Sequence, residues 1–130
     1  SYAFATAAPG MLARALQQSL SAMEEGDHLR SQLQARIAQL RAGLAPVLAI
    51  TGWQLLPSNT PIQALVIGDN SKALQLMEAL RERSIWVPAI RPPTVAAGTA
   101  RLRIALSAAH TPQDIVQLVN ALQEIAGRSR

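Results

Sequence analysis

Apolar residues recur every three or four positions along the first third of the chain, a spacing that predicts amphipathic helix. The first apolar stripe is formed by Leu12, Leu16, Leu20 and Met23, and the second by Leu29, Leu33, Ile37, Leu40 and Leu44. Gly26 separates the two stripes, Asp27 can cap the second, and the pattern stops near Gly43 and Pro46. The sequence therefore predicts either an antiparallel helical hairpin or one long kinked helix.

From residue 47 onward the pattern changes to shorter apolar runs bounded by glycine, proline and asparagine. These runs predict strands at residues 52–57, 62–67 and 85–90, and a helix at residues 71–83. Asn70 or Ser71 is the expected N-cap of that helix. Pro88 has no N–H to donate, which predicts an edge strand or a bulge. The middle elements are also spaced closely enough for a right-handed strand–helix–strand crossover.

The last strand alternates between apolar and basic residues. Leu102, Ile104 and Leu106 are expected on one face, and Arg101 and Arg103 on the other.

A final helix is predicted from Thr111, because a threonine N-cap is followed there by proline and then by Asp114, which can complete a capping box. Its apolar stripe consists of Ile115, Leu118, Val119, Leu122 and Ile125, and Gly127 ends it. The element order predicts an α+β fold, a small and mostly antiparallel sheet with helices packed on one face.

Composition narrows the possible functions. The 130 residues fit one domain, and 49% of them are hydrophobic. The absence of cysteine excludes disulfides and thiolate metal sites. We expect neither a membrane span nor a signal peptide, because no apolar run is long enough and no basic segment precedes one. The first residue is Ser rather than Met, so we expect a piece of a longer protein.

The net charge of +4 leaves a nucleic-acid-binding domain as one alternative. However, the arginines are scattered, and none of the few aromatic residues interleaves with them as a base-stacking surface requires. His28 and His110 have no ligand spacing to a carboxylate, so no metal site is expected. Lys72, the only lysine, is expected to be solvated on a helix.

The stretch AIRPPTVAAGTARLRIAL, residues 89–106, brings Arg91, Arg101 and Arg103 together around a proline-stiffened loop. One interpretation is purely structural: a rigid turn, a positive φ at Gly98 and a solvated strand face. The other is an anion site, because the planar guanidinium group matches a carboxylate bidentately. The residues alone leave both interpretations open.

The segments IQALVIGDNSKALQLMEALRERSIWV and IWVPAIRPPTVAAGTARLRIALSAAHTPQDI strongly resemble the C-terminal part of the α-oxoamine synthase family. The family pattern is close to R-P-P-T-V-P-x-G-T-x-R-L-R, and this chain departs from it at Ala96, where relatives usually carry proline. The IRPPT element is similar to the branch of the family that serves biotin biosynthesis. The two N-terminal helices match more loosely.

The resemblance implies a cytoplasmic homodimer of the aspartate-aminotransferase fold that uses pyridoxal 5′-phosphate (PLP). Its expected reaction condenses L-alanine with a pimeloyl thioester, carried by coenzyme A or acyl carrier protein, with loss of CO₂. Residues 1–46 should lead from a large domain into a small domain formed by residues 47–130, with a substrate-binding loop at 89–103. No nucleic acid, membrane or metal partner is expected. Nothing around Lys72 resembles the lysine that carries PLP, so this piece alone should be inactive.

The resemblance also implies roles for individual residues, none of them catalytic. Arg103 is similar in position to the arginine that binds the amino-acid carboxylate, and Arg91 to a loop arginine near that carboxylate. Thr94 is similar to a residue that lines the acyl pocket. Thr6 lies in a segment that, in relatives, reaches the PLP phosphate of the partner subunit. Arg101 is given no role and is expected to be structural.

A stand-alone α+β module that binds a small carboxylate for regulation is the alternative function. A reading frame that continues far upstream and contains a PLP-type lysine would distinguish the enzyme from this module.

Overall fold

The computed structural model describes residues 20–128 of the 130-residue chain. Within that range the elements follow in the order α1 (Leu20–Thr51), β1 (Gln54–Leu55), β2 (Ile62–Gly68), α2 (Asn70–Glu82), β3 (Ala89–Ile90), β4 (Ala100–Ala105) and α3 (Pro112–Arg128). Leu12 and Leu16 of the first predicted apolar stripe lie outside the described residues.

One long helix occupies the region where the sequence left two alternatives. α1 passes through Gly26 and Asp27 without a break, so the predicted interruption and the predicted cap at these residues are wrong. Pro46 also lies inside α1, which continues to Thr51, past the stop predicted near Gly43 and Pro46. Proline leaves the carbonyl of Ala42 without its helical donor, but both residues are exposed, so water can hydrate that carbonyl. Val47, which is 1% exposed, holds the final turn against the core.

The sheet has the strand order β1-β2-β4-β3, and every neighbouring pair is antiparallel. Because β2 and β3 both run antiparallel to β4, they run parallel to each other, and α2 crosses over between them. The predicted crossover connection is therefore present, with β4 inserted between its two strands.

The third strand is shorter than predicted. Only Ala89 and Ile90 pair with β4, whereas Ile85 and Val87 are buried in the core without joining the sheet. β3 lies at the edge of the sheet, as Pro88 predicted.

The helix starts follow from side-chain capping. Asp69, rather than Asn70 or Ser71, caps α2, because its carboxylate accepts a hydrogen bond from the backbone N–H of Lys72 at 2.9 Å. The predicted capping box of α3 is confirmed. The N–H of Asp114 donates to Thr111 Oγ1 at 3.2 Å, and the N–H of Thr111 donates to Asp114 Oδ2 at 2.9 Å.

The core lies between one face of the sheet and the three helices. The sheet contributes Leu65, Leu102 and Ile104, all fully buried. The helices contribute Leu40, Leu44, Leu76, Leu80, Leu118 and Leu122. The α+β class with helices on one face of a small antiparallel sheet is therefore confirmed, and the opposite face of the sheet carries no helix from the described residues.

Two features are absent from the part of the chain that the structure describes. None of its helices combines the length and the hydrophobicity needed to cross a membrane. No group of three or more His, Cys, Asp or Glu side chains within residues 20–128 could hold a metal ion.

Candidate functional site

The helix-free face of the sheet, which we call the outer face, carries the two arginines of β4. Arg101 and Arg103 alternate with the buried Leu102 and Ile104, as the period of two predicted. The antiparallel register sets Arg103 opposite Ala64 and Arg101 opposite Val66 of β2. Small or half-buried side chains therefore flank both arginines, and the outer face stays open around them.

Arg103 combines a fixed backbone with an available side chain. Its N–H donates to the carbonyl of Pro88 at 2.9 Å on one side of β4, and on the other side Arg103 pairs with Ala64 of β2. Its side chain is exposed, and its guanidinium group has no hydrogen-bond or ion-pair partner within residues 20–128. By contrast, Arg81 and Arg128 are engaged by Glu78 and Glu124.

Arg101 differs from Arg103 although both lie on the same face. It is half-buried, and its Nε donates to the carbonyl oxygen of Thr99 at 3.1 Å. One donor of its guanidinium group is thus committed to the backbone that enters β4.

Residues 91–99, which we call the arginine loop, connect β3 to β4. Two turns shape it: the N–H of Thr94 donates to the carbonyl of Arg91, and the N–H of Thr99 donates to the carbonyl of Ala96, each at 3.1 Å. Gly98 has φ +76°, which confirms the positive φ predicted at this position. Arg91 and Thr94 are both exposed.

Three of the predicted site residues, Arg91, Thr94 and Arg103, lie on β4 or on the loop that leads into it. Ile90 lies opposite Arg101, so Arg91 lies just beyond the pairing, at the end of the sheet where β4 begins. Arg103 lies on the outer face two residues further along β4. From Ser84 to Gln113 the sequence contains no acidic residue, so no carboxylate of that segment competes for the arginines. Thr6, the fourth predicted residue, lies outside the described residues.

This arrangement suits the binding of a small carboxylate. A guanidinium group donates two parallel N–H···O bonds to a carboxylate, and Arg103 offers such a group from a rigid strand. Arg91 adds a second positive charge from the arginine loop.

Lys72 does not belong to this site. It lines a separate cleft of about 550 Å³ between the helices. The other lining residues include Ile50 of α1, Leu76 of α2, Ile125 of α3 and Trp53, which follows α1. α2, which carries Lys72, packs against the core face of the sheet, opposite the arginines.

A buried polar cluster was missed by the sequence analysis. Gln63 is fully buried on the core face of β2; its Oε1 accepts from Arg41 at 2.7 Å, and its Nε2 donates to the carbonyls of Ser58 and Thr60. Its burial could have been predicted from its position, because Gln63 lies two residues before Leu65 and therefore shares the core face of the strand.

The family model for class I and II aminotransferases matches residues 1–122. The chain belongs to that family. An 8-amino-7-oxononanoate synthase of Paracidovorax citrulli (strain AAC00-1) is 66% identical over 130 residues, which is 100% of this chain and 32% of the relative. This aminotransferase-family chain thus spans about a third of the length of the curated relative it matches.

Solved structures agree with the family assignment. A structure of serine palmitoyltransferase (SPT) with PLP is 29% identical, with a TM-score of 0.60, and the match covers 76% of this chain and 25% of that one. A crystal structure of 8-amino-7-oxononanoate synthase from Francisella tularensis is 21% identical with a TM-score of 0.61, covering 84% and 32%. The likeness to the Francisella tularensis structure supports the fold alone, which is the α+β unit described above.

Proposed function

We propose that the chain is the C-terminal part of an 8-amino-7-oxononanoate synthase, a PLP-dependent acyltransferase of biotin biosynthesis. The observation that carries this proposal is the 66% identity to the Paracidovorax citrulli synthase along the whole chain. The overall reaction joins the α-carbon of L-alanine to the acyl carbon of a pimeloyl thioester. A carbon–carbon bond forms, the thiolate leaves and is protonated at the expense of the α-proton, and the carboxyl group leaves as CO₂ while a proton from solvent takes its place on the α-carbon.

PLP, when bound, would supply the electron sink that lets the α-carbon of alanine lose its proton. The described residues offer no attachment point for it, because the only lysine of the chain lies in the cleft on the helix side. We place the attachment in the part of the relatives that this chain does not span, and we expect the chain alone to be inactive. Thr6 remains the one proposed contact of this chain with PLP, across a homodimer interface.

The residues of the outer face would bind and orient the substrates. Arg103 would hold the alanine carboxylate through a bidentate hydrogen bond, and Arg91 would approach the same anion from the arginine loop. Thr94 would line the path of the acyl chain with its hydroxyl group. Residues 47–130 would form the small domain that carries this loop, in a homodimer located in the cytoplasm.

The stand-alone carboxylate-binding module has no support from the relatives, which are named as synthases. A second enzymatic candidate comes from the likeness to SPT, whose name denotes a serine-dependent acyltransferase. The choice between alanine and serine therefore needs a direct test.

The test is a steady-state assay of the full-length protein, reconstituted with PLP, that records thiol release and the ketone product by mass spectrometry. We expect turnover with L-alanine and a pimeloyl thioester, and little with L-serine and a palmitoyl thioester. The reverse preference would contradict the proposal. The 130-residue chain, assayed in parallel, should give no product.

A further inference from the structure

Arg101 is the one arginine of the arginine-rich region to which the proposed function assigns no task. Its half-buried side chain bends back along β4, so that Nε donates to the carbonyl of Thr99 at 3.1 Å. Thr99 in turn closes the last turn of the arginine loop, since its N–H and its hydroxyl group both donate to the carbonyl of Ala96. A chain of hydrogen bonds thus runs from a rigid strand into the loop.

The loop has few other attachments within the described residues. Arg91, Pro93 and Thr94 are exposed, as is the segment 96–98. The carbonyl oxygen of Gly98 lies near Gly68. A Cβ added to Gly68 would be 3.6 Å from that oxygen, which is an ordinary contact distance. The loop is therefore positioned by its two ends, by the pairing of Ile90 before it and by the junction with β4, where Arg101 acts.

Arg101 itself is well placed to serve as an anchor. The register pairs it with Val66 on one side and Ile90 on the other, so its backbone lies in the interior of the sheet. A hydrogen bond from a charged guanidinium group is stronger than a neutral one, and a fixed donor loses little entropy in forming it.

We propose that Arg101 is a positioning residue that holds the arginine loop in the geometry needed by Thr94 and Arg91. This proposal rests on the proposed function for its effect on substrates. Its effect on the loop itself does not depend on which reaction the protein catalyses.

The test uses two substitutions of matched length in the full-length holoenzyme. The amide nitrogen of Arg101→Gln occupies the same position along the side chain as the arginine Nε, so it keeps a donor and removes the charge. Arg101→Met keeps the apolar stem and removes the donor. Arg128→Met, at the end of α3, is the control for loss of an exposed arginine.

The first readout is hydrogen exchange, resolved by mass spectrometry, in peptides that contain the amides of Thr94 and Thr99. We expect Arg101→Met to accelerate exchange in the arginine loop by roughly tenfold, which corresponds to about 1.4 kcal/mol. Exchange in β4 and α3 should be unchanged, and Arg101→Gln, which keeps a weaker neutral donor, should fall between the wild-type protein and Arg101→Met. The second readout is kinetic: Arg101→Met should raise KM for the pimeloyl thioester by a similar factor and should weaken L-alanine binding less, because Arg103 is held by the strand and does not depend on the loop.

Each outcome decides one question. Loop exchange in Arg101→Met that equals the wild-type rate would overturn the proposal. Equal damage from Arg101→Gln and Arg101→Met would also overturn it, because the charge rather than the hydrogen bond would then matter. Accelerated loop exchange without any turnover of L-alanine and pimeloyl thioester by the wild-type enzyme would uphold the positioning role and reject the proposed function.

Discussion

Replacing Arg103 by alanine should weaken the binding of L-alanine without disturbing the fold. The side chain is exposed and its guanidinium group has no partner within residues 20–128, so its removal breaks no hydrogen bond or ion pair there. The backbone bond from Arg103 N–H to the Pro88 carbonyl survives the substitution. Surface changes of this kind alter the free energy of unfolding by about 0.5 kcal/mol or less.

Under the proposed function the effect on binding is larger, because the interaction lost would be charge-assisted and bidentate. Such a hydrogen bond to a carboxylate contributes about 1.5–3 kcal/mol, which corresponds to roughly 10- to 200-fold in the dissociation constant of L-alanine. Arg103→Lys keeps the charge but loses the planar fork, so it should recover only part of that factor.

The assay is a titration of the cofactor absorbance of the full-length enzyme with L-alanine. Arg101→Ala is the matched comparison, since Arg101 shares the outer face and the strand but donates to the Thr99 carbonyl. We expect a much smaller change for Arg101→Ala than for Arg103→Ala, with PLP retained in both. If Arg103→Ala saturates at the wild-type alanine concentration, the carboxylate is bound elsewhere and our assignment of Arg103 is refuted.

Three further outcomes are expected. Thr94→Ala should lower kcat/KM for the pimeloyl thioester more than it lowers alanine affinity, and Thr94→Ser should restore it; equal loss for both substrates would count against an acyl-pocket role. Gly98→Ala, at φ +76° with open space around the added carbon, should destabilise the loop by about 1–2 kcal/mol in hydrogen exchange, whereas the same change at Gly127 of α3 should not. Gln63→Leu should lower the stability of the α+β unit by about 2–4 kcal/mol, measured by hydrogen exchange in β2, because a buried network loses its central group; Gln34→Leu, which removes one exposed hydrogen bond, should cost less than about 1 kcal/mol.

The face assignments of β4 and α3 were predictable because each depends on a short repeat within one element. Leu102 and Ile104 must alternate with Arg101 and Arg103 in any strand that buries one side. The capping box at Thr111 is equally local, since both of its hydrogen bonds join residues three positions apart.

The continuity of α1 could not be predicted in the same way. Gly26 and Pro46 are local signals for a break, and the sequence alone does not show what opposes them. In the structure the last turn of α1 is held by Val47 in the core and by the Thr51 hydroxyl group, which donates to the Val47 carbonyl at 2.8 Å. Gly43 is also used in packing, because a Cβ there would approach Val119 of α3 within 3.0 Å. The burial of Val47 and the approach of Gly43 to Val119 join parts of the chain that are distant in sequence, so they could not be read from the local pattern.

The length of β3 raises the same difficulty. Ile85 and Val87 have the alternation of a strand, and both are buried, but only Ala89 and Ile90 pair with β4, although β4 continues to Ala105. Pro88 accepts a hydrogen bond from Arg103 but has no N–H to return one, so the ladder stops there. The face that carries Arg101 and Arg103 was predictable because it follows from alternation, whereas the positions of Arg91 and Thr94 depend on the turns of the arginine loop.

The candidate site is divided between a rigid and a less restrained part, and this division fits a reaction with two substrates. Arg103 is fixed by strand pairing, so the group proposed to bind the amino acid needs no rearrangement before binding. Arg91 and Thr94 lie on a loop whose turns are each closed by one backbone hydrogen bond, with Arg101 anchoring its end. Local opening costs less free energy where backbone contacts are few and exposed, so the loop should open more readily than β4. Under the proposed function, the strand would retain the amino acid while the loop admits the acyl thioester, and loosening the anchor should therefore impair the second substrate first.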